Sequence, residues 1–241
     1  MPSSNRPYCL LIAFLFSTAV ASADQIIQKP EFTVTLPDGW TEIPRELLDQ
    51  YSAALASQAP NAPRQHYNYG FQSPGKQNFE YPYMMCQILN TGRIPDAEFA
   101  SIARVSVNDS MGEFKEALSP VLSELEVGKP VYDASSNIIW LSLDMSVPGT
   151  GPVAGITGMH PTEEGLIQLA GYALKTDFAS NEAAFKSAIG SLKPAPHLAY
   201  QPGAGPATYR ERNLSYSLGR IAGFALIGAI VGAAVMYLKR A

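Results

Sequence analysis

The sequence predicts an α+β fold, an antiparallel sheet with helices packed on it, followed by one C-terminal transmembrane helix. Three observations lead there. Segments with an apolar residue at every second position alternate with segments whose apolar residues recur every three or four, the periods of strand and helix. The last strand segments are joined by Pro148-Gly149-Thr150-Gly151 and by Pro161-Thr162-Glu163-Glu164, links too short to carry a chain back for parallel pairing. Near the end, residues 221–238 (IAGFALIGAIVGAAVMYL) contain no charge, amide or proline.

The chain opens with Arg6, an apolar run at 10–20 and Ala21-Ser22-Ala23 ahead of Asp24. These are the three parts of a secretory signal, so residues 1–23 read as a leader cleaved before Asp24. Residues 24–193 read as one extracytoplasmic domain. Phe32, Val34 and Leu36 share one face of a strand that Pro37-Asp38-Gly39 ends as a turn. Pro44 sits where a helix begins, and Leu47, Leu48, Tyr51 and Leu55 form its apolar stripe as far as Gln58. Strands at 65–72, with Tyr67, Tyr69 and Phe71 on one face, and at 81–89 flank Ser73-Pro74-Gly75 and read as a hairpin. A helical middle at 95–126 opens at Pro95-Asp96, carries Phe99, Ile102, Met111, Phe114, Leu118 and Leu122, and is interrupted near Asn108 and at Pro120. Strands at 130–133, 138–147, 153–160 and 165–174 follow, the last three as an antiparallel meander. Ser180 then caps a helix in which Phe185, Ala188, Ile189 and Leu192 share a face, with Lys193 in its last turn and Pro194 as its stop.

Residues 194–217 lack apolar periodicity and hold four prolines and two glycines before Ala207, the composition of a Pro/Gly-rich stalk. The transmembrane helix is assigned to 218–238. Its apolar run rises about 27 Å at about 1.5 Å per residue, close to the hydrocarbon thickness of a bilayer. Lys239-Arg240-Ala241 form a cytoplasmic tail. Arg210, Arg212 and Arg220 on the other flank compete with that tail under the positive-inside rule, so the leader decides orientation. The expected location is the inner (plasma) membrane of a bacterial envelope, single-pass, with the N-terminal domain periplasmic. Within the helix, Gly228 and Gly232 form a literal GxxxG beside Ala225, Ala229 and Ala233, a small-residue face on which two helices approach closely in lipid.

Composition excludes some functions. Formal net charge is −4, and −5 once Arg6 leaves with the leader, which gives no basic footprint for nucleic acid. Of the two cysteines, Cys9 belongs to the leader, so Cys86 has no disulfide partner within the mature chain. Cys86 alternates with Met84 and Ile88 on one strand face, the setting of an inert packed thiol. The glycines of Gly149-Thr150-Gly151 and Gly155-x-x-Gly158 lack the Lys-Ser/Thr pair of a phosphate loop and fit a hairpin and a close-packed strand. With His66, His160 and His197 as its histidines, the chain offers a metal or hydrolytic site only by convergence of His66, His160 and Asp144.

The segments FTVTLPDGW at 32–40 and AFKSAIGSLK at 184–193 resemble the opening strand and closing helix of PsbP/DcrB/Mog1-like secreted domains. The resemblance spans about 31–193 and implies a sandwich of sheet and helices. It brings no functional residue, because members of that group share architecture rather than one activity. The transmembrane tail and the helical middle depart from it. The expected function is a non-enzymatic, membrane-tethered domain, without cofactor, that binds another protein or helps assemble a membrane complex, the expected partner being a protein or a second copy joined through the transmembrane helix. The alternative is a small-ligand-binding or hydrolytic envelope protein with its site near Asp144, His66 and His160.

Overall fold

A computed structural model describes residues 24–62, 66–99 and 112–203. The leader, the expected transmembrane helix with Gly228 and Gly232, the cytoplasmic tail and residues 100–111 of the helical middle lie outside the described residues. Among those described, no helix is long and apolar enough to cross a membrane.

Strands β1 (Gln25–Gln28) and β2 (Phe32–Leu36) pair antiparallel, with Ile27 opposite Val34. Phe32, Val34 and Leu36 are all buried, as the alternation requires. Gly39 supplies the positive φ of the following turn, and β3 (Thr41–Glu42) leads to α1 (Arg45–Gln58). Pro44 stands at the N-cap, and Leu48, Tyr51 and Leu55 are the buried stripe. Strands β4 (Tyr69–Gln72) and β5 (Tyr83–Leu89) form the expected hairpin, with Tyr69 opposite Cys86. Tyr67 lies before the strand and packs on Tyr51 of α1 instead of sharing a face with Phe71.

Helices α2 (Asp96–Phe99) and α3 (Gly112–Leu118) fall in the middle region, followed by β6 (Glu124–Val127), β7 (Val131–Asp133), β8 (Ile138–Val147), β9 (Gly151–Pro161) and β10 (Leu166–Leu174). The helical middle ends earlier than its leucine spacing predicts. One further turn, in which the amide of Leu122 donates to the carbonyl of Leu118, follows α3. Then Glu124-Leu125-Glu126-Val127 takes strand period and pairs with β8, Leu125 opposite Met145.

The last helix, α4 (Lys175–Ser191), starts directly from β10 rather than at Ser180. Ser180 is interior, its hydroxyl donating to the carbonyl of Asp177 at 2.7 Å. Asp177 in the first turn faces the positive end of the helix dipole. Lys193 and Pro194, expected as last turn and stop, form a two-residue strand β11 (Lys193–Pro194) against β2.

The main sheet runs β3-β4-β5-β10-β9-β8-β6, with β7 also on β8, and every pairing is antiparallel. A small sheet, β1-β2-β11, lies apart from it. On one face of the main sheet Ile167, Leu169 and Cys86 pack with Phe185 and Ile189 of α4 and with Phe32 and Val34 of β2. On the other, Leu166, Ala170, Tyr172 and Leu141 pack with α1, Phe99 and Leu118. Burial on both faces explains why β5 and β10 are nearly continuous apolar runs.

Candidate functional site

The three residues that a metal or hydrolytic site would need do not converge. Asp144 pairs across to Ala154 on β9, six residues before His160 on that strand, a separation of about 20 Å at about 3.3 Å per residue. Its carboxylate is ion-paired with Lys175 at 2.8 Å. His160 lies beneath α4, hydrogen-bonded to the backbone of Ile189, and burial pushes its pKa down to about 4. His66 is exposed and holds Arg45 of α1 at 2.7 Å. Each has a structural partner, and the site expected around them is not formed. Among the described residues, no three of His, Cys, Asp and Glu gather as a metal-ligating group.

Other sequence candidates take the places expected of them. Cys86 is fully buried with Met84, and burial pushes its thiol pKa well above the ordinary value, with Glu31 adding to the effect. Gly149 and Gly151 have positive φ in the β8–β9 turn. Gly158 lets α4 approach β9, because a Cβ there would overlap the side chain of Ile189.

Among the described residues, a dense polar constellation centres on Arg93, which follows β5 and is 5% exposed. Its guanidinium donates to Asp96 at 3.1 Å, to the carbonyl of Gln201 at 2.9 Å and to Glu163 at 3.3 Å, and it lies over the ring of Tyr200 at 4.5 Å. Glu163 also accepts from the Gln201 amide at 2.8 Å, and Asp96 from the Gly203 amide at 2.6 Å. The Tyr200 hydroxyl contacts Asp96 and the carbonyl of Ile94. Asp96 is held below the usual carboxylate range, first by Tyr200, then by the Gly203 amide and by Arg93. Burial, then Asp96, push Tyr200 in the opposite direction, so the proton stays on the phenol.

This network binds residues 200–203 to the domain, although the sequence reading starts the stalk at 194. The segment is fixed further by Leu198, 6% exposed, and by the amide of Ala195 donating to the carbonyl of Glu31. Beside it opens a cleft of about 560 Å³, lined by Asp96, Phe99, Tyr132, Asn137, Tyr200 and Pro202. Phe99 stacks on Tyr132 at 4.9 Å and meets Tyr200 edge-on at 5.4 Å. The hydroxyl of Tyr132 donates to Oδ1 of Asn137 at 2.9 Å. Sequence reasoning missed both network and cleft. Apart from Asp96, three positions on, the partners of Arg93 lie 70 and more than 100 positions away, so no local pattern announces them.

No family model and no curated protein matches the chain. Among solved structures it is similar to the solution structure of cyanobacterial PsbP (CyanoP) from Synechocystis sp. PCC 6803, with a TM-score of 0.44 and 10% identity, covering 76% of this chain and 99% of that one. It is also similar to the crystal structure of LpqN, involved in cell envelope biogenesis of Mycobacterium tuberculosis, with a TM-score of 0.38 and 15% identity, covering 73% and 92%. The likeness to PsbP is one of fold and assigns no site.

Proposed function

We propose that the chain is an exported, non-enzymatic domain, held at a bacterial envelope membrane by its C-terminal segment, that binds a protein partner or a second copy of itself. The observation that carries this reading is the uncharged run at 221–238, behind a leader with an A-x-A site. The separation of Asp144, His66 and His160 supports the non-enzymatic part, since the rival site needed them together. Self-association would use the face of Gly228 and Gly232.

Membrane fractionation with external protease tests the tether. The full chain is expected in the membrane fraction, beginning at Asp24, with its domain digested from the outer side only; recovery in the soluble fraction rejects the reading. In a membrane-helix association reporter, Gly228→Ile or Gly232→Ile is expected to lower the signal, and an unchanged signal rejects self-association through that face. Crosslinking in intact membranes is expected to trap a stoichiometric partner.

A further inference from the structure

We propose that the cleft between Tyr132 and Tyr200 is a binding site for a neutral sugar ring. Its volume, about 560 Å³, lies within the range of small-molecule sites and suits one or two rings. Tyr132 is half-buried and backed by Phe99, so its ring is rigid, and the C–H face of a pyranose buries well on such a platform.

The polar groups are placed to read hydroxyls. Because Tyr132 donates to Oδ1 of Asn137, the amide presents Nδ2, which has no partner among the described residues, as a donor into the cleft. Asn137 holds a left-handed φ of 54°, a conformation asparagine tolerates, which fixes it at the rim. Asp96 accepts from Arg93 and Tyr200 through Oδ1 and from Gly203 through Oδ2, which leaves lone-pair capacity on Oδ2, so it offers an acceptor beside that donor.

Charge points to a neutral ligand. Among the described residues around the cleft, one cation, Arg93, faces the carboxylates of Asp96 and Glu163, and Asp133 adds a third carboxylate next to Tyr132, which repels an anion. Asp96 and Glu163 are already engaged by that arginine, and Asp133 accepts from the hydroxyls of Ser135 and Ser136, which satisfies the carboxylates an ammonium group would seek. This site is separate from the residues Asp144, His66 and His160, and the proposal does not rest on the tether: sugar binding and membrane attachment can each fail alone.

The test is saturation-transfer NMR on the full chain in a detergent without a sugar headgroup. The probes are methyl glucoside, methyl mannoside, methyl galactoside and N-acetylglucosamine, with tetramethylammonium as the cationic control. At least one sugar is expected to bind with a dissociation constant of about 1 mM. Tyr132→Ala, and separately Asn137→Asp, are expected to weaken it about tenfold. Asn137→Asp preserves shape, the acceptor for Tyr132 and the backbone conformation, so it decides the matter if Tyr132→Ala does not fold. Transfer to none of the sugars, transfer to tetramethylammonium alone, or binding unchanged in Asn137→Asp overturns the proposal.

Discussion

His160 is 4% exposed under α4, and its pKa of about 4 lies below the ordinary 6.5 because burial penalises the charged ring. The unfolded chain therefore takes up the proton first as pH falls. Stability from this group is complete above pH 6.5, is lost as pH drops toward 4, and changes no further below that. The gap corresponds to about 3 kcal/mol in all, and about 2 kcal/mol of it falls between pH 7.5 and pH 5. Glu98 acts in the opposite sense, since burial raises its carboxyl and falling pH then favours the folded form. Asp96 and Asp133, held low by hydrogen bonds, lose their contribution only in the carboxylate range and below. Urea unfolding at the two pH values is expected to show the loss in wild type and a flattened dependence in His160→Gln. Glu98→Gln should steepen it. Cys86 gives a second check: its raised pKa and complete burial predict alkylation at least about 100-fold slower in the native chain than in denaturant, because the thiol reacts only through opening.

Where α4 meets the sheet, small residues set the distance between elements. Gly158 of β9 lies against Ile189, and Gly171 of β10 against Phe185, with no room for a Cβ at either. Gly158→Ala is expected to overpack this contact and cost about 1–3 kcal/mol in chemical denaturation, whereas Gly190→Ala, with open space around it, should cost nothing or stabilise the helix. Elements were legible in the sequence where one physical signal dominated. The alternation of Phe32, Val34 and Leu36, the stripe of Leu48, Tyr51 and Leu55, and the turn chemistry bounding β8 each fixed an element before any tertiary information. β6 was not legible because Leu118 and Leu122 keep helical spacing up to the residue where the strand alternation begins. The start of α4 was hidden for another reason: Leu174 offers no side-chain cap, and the helix is held by docking on β9, β10 and β2 rather than by a local signal.

At the scale of the molecule, the domain ends later than its composition suggests. Prolines and glycines after residue 193 read as a stalk, yet Ala195, Leu198, Tyr200, Gln201 and Gly203 all bond or pack onto the body. Tertiary partners override loop composition here, and those partners are remote in sequence, which is why the candidate cleft beside them was invisible. Arg93→Met removes the hub while keeping the length of the side chain. It is expected to expose the bond after Tyr200 to chymotrypsin, read by mass spectrometry, while residues 24–99 and 112–193 stay resistant. Equal resistance of that bond in variant and wild type would show that Arg93 does not hold the segment.

The same hub determines how the domain answers a mechanical pull along its outgoing chain. Strand β11 pairs with β2 through two residues, Lys193 with Thr33 and Pro194 with Phe32, and alone it would peel away one bond at a time. Traction from beyond Gly203 reaches the Arg93 cluster first, where hydrogen bonds from Tyr200, Gln201 and Gly203 converge on a single patch and share the load. The small sheet is thereby shielded from force, and the resistance of the outgoing segment to traction rests on this shared patch, with Arg93 at its centre, rather than on its shortest strand.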